Sequence, residues 1–151
     1  MLRTIVIIAG VYLIYRLAKK GVDMTSDQND LLARTIYGEA RGEGKKGMQA
    51  VANVVMNRVK KGGWWGASIK DVVLKPYQFS CWNENDPNRA IILKATDAQL
   101  KQAREIADAA IAGTLPDITG GATHYHAKSI TPYWAASLTK TASIGNHVFY
   151  V

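Results

Sequence analysis

Glu39 and Glu43 stand four residues apart in Thr35-Ile-Tyr-Gly-Glu-Ala-Arg-Gly-Glu43, among glycines and hydrophobic side chains. A carboxyl in apolar surroundings can be held protonated and serve as a general acid. If helical geometry runs through the stretch, the two carboxylates share a face. Gly38 and Gly42 then form a second pair, a bare strip open to a substrate or another backbone. The plain alternative is a charge pair at the start of the next helix, favoured by its dipole. His124, His126 and His147 offer a different chemistry, since three imidazoles and a glutamate suffice to ligate zinc. An H-x-H pair without cysteine or an H-E-x-x-H motif is a weak metal signal, however. Imidazoles beside Thr and Tyr can equally hydrogen-bond a sheet edge. The lone Cys81 rules out an internal disulfide, and without an assigned partner base it reads as a packed thiol.

Around these groups the aromatic density is high. Gly62-Gly-Trp-Trp-Gly66 is a turn bearing two indoles, and Pro76-Tyr-Gln-Phe-Ser-Cys-Trp82 follows ten residues on. Indole and phenol rings stack on sugar faces as well as they fill cores. Trp82 is therefore a candidate for a saccharide-lined groove, with Gln78 and Ser80 bonding hydroxyl or acetamido groups. Asn53 and Asn57 would project together from one helix face, lining a polar cleft or simply facing water.

The elements that must position these residues are mostly helical. Residues 28–36 and 44–61 read as helices that meet at the two glutamates, with Met48, Val51, Ala52, Val55 and Val59 on one apolar face of the second. A third helix spans 97–111, capped by Thr96 and Gln99, striped by Leu100, Ala103, Ile106, Ala107, Ala110 and Ile111, and ended by Gly113. Thr25 and Gln28 form another candidate capping box. Residues 122–127 and 146–151 alternate as short strands, expected to pair as a hairpin across a long loop. The fold class is thus α+β, mainly helical, with a small C-terminal β-hairpin.

The 151 residues support one domain and an appendage, at 48% hydrophobic and a net charge of +7. Four of the basic residues lie in 1–20 with no acid, leaving fifteen basic and twelve acidic residues for the rest. More than half of the excess therefore flanks a hydrophobic segment, which argues against a nucleic-acid partner. Thr4 to Tyr15 is uncharged, bounded by Arg3 and Arg16, and no small-residue cleavage site follows. Twelve helical residues span only about 18 Å of a bilayer core of about 30 Å. Residues 1–20 are accordingly expected to be a weak, uncleaved signal-anchor helix, with 21–27 a tether and 28–151 the domain. A core or amphipathic helix is the alternative for that segment.

Five stretches in order resemble one family: A-R-T-I-Y-G-E-A-R-G-E (33–43), A-V-A-N-V-V-M-N-R-V (50–59), Q-F-S-C-W (78–82), G-A-T-H-Y-H (121–126) and I-G-N-H-V-F-Y (144–150). They are similar to the cell-wall hydrolases of the spore-cortex-lytic SleB type over roughly 33–150. The resemblance implies a lysozyme-like, lytic-transglycosylase-type fold and cleavage of the peptidoglycan glycan strand, without a cofactor. It also implies that Glu39, the first glutamate of the E-A-x-G-E motif, is the catalytic acid, with Glu43 matching the second. Tyr125 would position Glu39 or a substrate acetamido group, and His126 would join the cleft.

Unlike the spore enzymes, the sequence places only a hydrophobic segment and tether ahead of the domain. That architecture is similar to a phage signal-anchor-release endolysin, acting as a monomer from the host inner membrane toward the periplasm. A membrane-tethered bacterial housekeeping hydrolase is the other architectural reading. Cleaving a glycosidic bond requires a proton for the leaving oxygen and capture of an oxocarbenium-like centre. In a transglycosylase one carboxyl does both, deprotonating the 6-hydroxyl of N-acetylmuramic acid to close a 1,6-anhydro ring. Lysozyme-type hydrolysis would need a second group, and Glu43 is the nearby candidate. The rivals are a zinc amidase or peptidase using His124, His126 and His147, and a non-catalytic wall-binding module.

Overall fold

The computed structural model describes residues 26–151. The expected anchor, the tether up to residue 25 and the Thr25 cap lie outside the described residues. Among those described, no helix is long and apolar enough to cross a membrane.

Helix α1 covers the described residues 26–40. Leu32, Ala33, Ile36 and Ala40 recur along it at helical spacing and are all buried. A 3₁₀ turn, Arg41–Glu43, breaks the path before α2 (Gly44–Lys61) begins. The boundaries of α2 coincide with those read from the sequence.

Helix α2 is buried nearly all round: Ala50, Val51, Ala52, Val54 and Val55 have no exposed surface. Such a helix must be central, and it packs on α3 (Ile69–Val73), α5 (Asp97–Ile111) and the sheet. Its main face joins α1, Phe79, Cys81, Ile92 and α5 in one core. Its other side, through Ala50 and Val54, meets Ala122 and Phe149 beneath the sheet.

Local chemistry explains the remaining helix starts. Thr96 and Gln99 form the expected reciprocal capping box on α5. Asp86 caps α4 (Pro87–Lys94), with Pro87 in the first turn. Ser68 caps α3 by accepting from the Asp71 amide. The sequence reading had anticipated neither α3 nor α4.

Three strands, β1 (His124–Ala127), β2 (Lys140–Ile144) and β3 (His147–Tyr150), form an antiparallel sheet in the order β1-β3-β2. The pairing of β1 with β3 was expected, and Tyr125 lies opposite Phe149. The expected two-stranded hairpin is corrected by β2, which pairs with β3 across the Gly145-Asn146 turn. Lys140-Thr-Ala-Ser-Ile144 is a half-exposed edge strand with a register shift near Thr141, and only Ala142 and Ile144 turn to the core, too short an alternation to mark a strand in sequence.

Candidate active site

Glu39 occupies the last turn of α1 and is half-buried. Two donors from distant parts of the chain reach its carboxylate. The backbone N–H of Cys81, in the 3₁₀ turn Ser80–Trp82, donates to Oε1 at 3.1 Å. The Tyr125 hydroxyl, from β1, donates to Oε2 at 3.1 Å.

The donors are themselves held. The Tyr125 ring stacks on Phe149 at 5.7 Å between centroids and meets His147 edge-on at 5.3 Å. Burial, and then the charge of Glu39, push the Tyr125 phenol well above its ordinary value, so it remains a proton donor. Trp82, next to Cys81, gives its indole N–H to the Thr35 hydroxyl at 2.9 Å. Thr35 lies one turn before Glu39, so the 80–82 turn is fastened to the helix that carries the carboxyl.

Gly38 is not part of an open strip. A Cβ there would lie 2.8 Å from both the Cys81 Cβ and the Ile92 Cγ2, so its bareness admits the protein's own packing. Gly42 does face open space. The Cys81 thiol is fully buried, and burial followed by the Glu39 charge pushes its pKa up. It is a packed thiol that offers no thiolate.

Glu43 does not share a helical face with Glu39, because the 3₁₀ turn separates α1 from α2. Its Oε2 accepts from the Asn146 backbone N–H at 2.9 Å and its Oε1 from the Asn146 side-chain amide at 3.0 Å. Those two bonds, backbone first, hold the Glu43 carboxyl below its ordinary range. The fit is close enough that a Cβ on Gly145 would run into the carboxylate. Glu43 thus ties the join between α1 and α2 to the β2–β3 turn.

The other candidates divide. Trp82, Gln78 and Ser80 lie in the loop that supplies the Cys81 donor, although the Gln78 and Ser80 side chains make no hydrogen bond among the described residues. Asn53 is not in the site. Its amide donates to the Pro116 carbonyl at 3.1 Å and accepts from the Ile118 N–H at 3.1 Å, anchoring the loop after α5. It lines a separate groove of about 390 Å³ with Asn57, Met56 and Leu115. His126 points to the face of β1 opposite Tyr125, bonding the Tyr150 hydroxyl at 2.9 Å and the Ala127 carbonyl at 2.8 Å.

The register also undoes the zinc trio. His124 and His126 share one face of the sheet, while His147, opposite Ala127, shares the other with Tyr125. Among the described residues no three His, Cys, Asp or Glu side chains converge as metal ligands. His124 and His126 belong instead to an aromatic run: Trp65 meets His124 at 5.1 Å, and Trp134 meets His124, His126 and Tyr150.

Arg58 was missed by the sequence reading. It is 5% exposed, its Nε donates to the Thr123 carbonyl at 2.8 Å, and its guanidinium lies over Trp65 and Phe79. Burial lowers its pKa to about 10, against the opposing pull of Tyr125 and Glu39. Its position in the stripe Val51-Val54-Val55-Arg58 was the available signal, a cation where the pattern demands burial.

A model of the Cell Wall Hydrolase family matches residues 42–150. The spore cortex-lytic enzyme of Oceanobacillus iheyensis is 33% identical over 125 residues, covering 81% of this chain and 41% of that protein. That of Halalkalibacterium halodurans is 31% identical over 127 residues, covering 79% of this chain and 33% of that protein. The chain therefore spans less than half the length of these relatives. Among solved structures, the catalytic domain of the Bacillus cereus SleB protein superposes with a TM-score of 0.64 at 28% identity, covering 83% of this chain and 91% of that one. The catalytic domain of the germination-specific lytic transglycosylase SleB from Bacillus anthracis gives 0.62 at 28% identity, covering 82% and 93%.

Proposed function

The chain belongs to the cell wall hydrolase family, and from that premise we propose that it cleaves the peptidoglycan glycan strand as a lytic transglycosylase on a lysozyme-like scaffold. The observation that carries the reading is the setting of Glu39, one carboxyl held by two donors from distant elements. Glu39 in its acid form protonates the glycosidic oxygen between N-acetylmuramic acid and N-acetylglucosamine, and the bond to C1 breaks. The carboxylate left behind takes the proton of the muramic acid 6-hydroxyl, whose oxygen bonds to C1 and closes the 1,6-anhydro ring. The Cys81 amide and the Tyr125 hydroxyl steady the carboxylate between the two steps. No water and no second carboxyl are consumed. Glu43 is left free in that scheme to tie the α1–α2 join to Asn146.

The cellular setting rests on the sequence of residues 1–20: an inner-membrane signal-anchor presenting the domain to the periplasm during phage-induced host lysis.

The test is mass spectrometry of soluble fragments released from purified peptidoglycan by the chain and by its Glu39→Gln variant. Fragments ending in 1,6-anhydro-N-acetylmuramic acid, absent with the variant, are expected. Reducing N-acetylmuramic acid ends would make the enzyme a hydrolase, and free stem peptides on intact glycan would overturn the reading.

A further inference from the structure

We propose that Tyr77 is the stacking platform of a sugar subsite, in a pocket whose Trp82 adjoins the residue that holds Glu39, and that this pocket takes an N-acetylhexosamine of the glycan strand. The inference rests on the glycan-cleaving reading above and names where the strand is gripped.

The first observation is backbone strain at an exposed ring. The Gln78 N–H donates to the Lys75 carbonyl at 3.1 Å, closing a β-turn with Pro76 second and Tyr77 third. Tyr77 has φ 63° and is the one non-glycine residue with positive φ among those described. Proline followed by a residue of positive φ is the type II pattern, whose third position calls for glycine or asparagine. A tyrosine there is held in a left-handed conformation that its Cβ disfavours. Packing does not compensate, because Tyr77 is 86% exposed. A bulky ring fixed in a strained turn and presented to solvent is the combination found where a side chain serves a ligand.

The second observation is what the ring overlooks. Tyr77 lines a pocket of about 530 Å³ together with Lys75, Trp82, Asn83, Glu84 and Asn85, within the size range of small-ligand sites. Trp82 connects this pocket to the chemistry: its indole is bonded to Thr35 on α1, and its neighbour Cys81 supplies the amide that holds Glu39.

The lining also selects the ligand class. Lys75 and Glu84 are opposite in sign, and the Lys75 ammonium is already engaged, donating to the Trp64 carbonyl at 2.6 Å and lying 4.4 Å from the Trp64 ring centroid. The two charges offset one another, so the lining carries no net charge that would select an anionic ligand. What remains is two aromatic faces, the Glu84 carboxylate and the Asn83 and Asn85 amides, whose side chains make no hydrogen bond among the described residues. Rings for a pyranose face, with amide and carboxylate partners for hydroxyl and acetamido groups, match a neutral N-acetylated sugar.

Strain and binding pull in opposite directions, which supplies the test. The 151-residue chain is prepared with Glu39→Gln so that glycan stays uncut, alone and combined with Tyr77→Gly, Tyr77→Asn or Tyr77→Phe. Affinity is measured for N-acetylchitotetraose and, by co-sedimentation, for purified sacculi; Tm is recorded for each protein. Tyr77→Gly and Tyr77→Asn are expected to weaken binding about five- to tenfold while Tm holds or rises by about 2 °C. Tyr77→Phe is expected to keep both values. Unchanged affinity in the glycine and asparagine variants, no binding by the parent to either probe, or a fall in Tm together with affinity would overturn the subsite. Fragment release by the wild-type chain is scored separately. If glycan is cut but Tyr77→Gly binds normally, the subsite alone fails; if nothing is released, the proposed reaction fails whatever Tyr77 does.

Discussion

Tyr125→Phe removes one oxygen and leaves the ring, which isolates the hold on Glu39 from the packing around it. The lost contact is a hydroxyl donating to a carboxylate at 3.1 Å. Bonds to charged groups contribute about 1.5–3 kcal/mol, but strong O–H to carboxylate bonds are shorter, at about 2.5–2.7 Å. Glu39 is also half-exposed, so the lower end applies, about 1.5 kcal/mol. If that energy steadies the carboxylate formed when the glycosidic oxygen is protonated, kcat should fall about tenfold. The loss is partial because the Cys81 amide remains on Oε1. Glu39→Gln, by contrast, removes the acid itself and should cost roughly a hundredfold to ten-thousandfold.

The assay is initial-rate release of soluble fragments at saturating peptidoglycan, with Tm measured in parallel. The stack on Phe149 survives the substitution, so Tm should move by no more than about 4 °C. The Tyr125 phenol is held well above its ordinary value, so loss of its own proton should add nothing to the ratio below about pH 9. A variant within roughly twofold of wild type at an unchanged Tm would refute the positioning argument. A Tm collapse that accounts for the activity loss would also refute it.

Two further substitutions test the frame around that contact. Gly38→Ala places a methyl 2.8 Å from both Cys81 and Ile92, so it should destabilise by about 1–3 kcal/mol although alanine is the better helix former; denaturant midpoints check this, and a gain in stability would contradict the close packing. Glu43→Gln should lower Tm at neutral pH and leave the released fragments chemically unchanged. The Glu43 carboxyl is held below its ordinary value of 4.5, so its contribution is complete above that pH and is lost as pH falls through the lower folded value. The Tm gap between wild type and Glu43→Gln should therefore close below about pH 4, and a gap independent of pH would show that the ionised carboxylate is not what Asn146 binds.

Much of the scaffold was legible because its signals are local. The ends of α2 and α5 coincide with the sequence reading, since a capping box, glycines and an apolar stripe lie within a few residues of the structure they set. What escaped depends on distant partners. Edge strand β2 turns only Ala142 and Ile144 to the core, and pairing with β3 makes it a strand. The histidines lay within reach of one another by residue type, yet the β1–β3 register puts His147 behind the sheet from His124 and His126.

The two glutamates carry this furthest. By spacing and surroundings they are near-equivalents, four residues apart in one motif, and nothing local assigns either its task. The contacts that separate them span 42 and 86 residues for Glu39 and 103 for Glu43. Glu39 receives one donor on each oxygen from two different elements, which position it without closing it off. Glu43 receives both donors from a single residue, a two-point bond that fixes a turn. The acid role proposed for one and the bracing contact made by the other thus trace to where the loop 80–82 and the β2–β3 turn come to rest. The turn then passes directly into His147, whose ring abuts Tyr125, so the turn that Glu43 holds supports the same tyrosine that donates to Glu39.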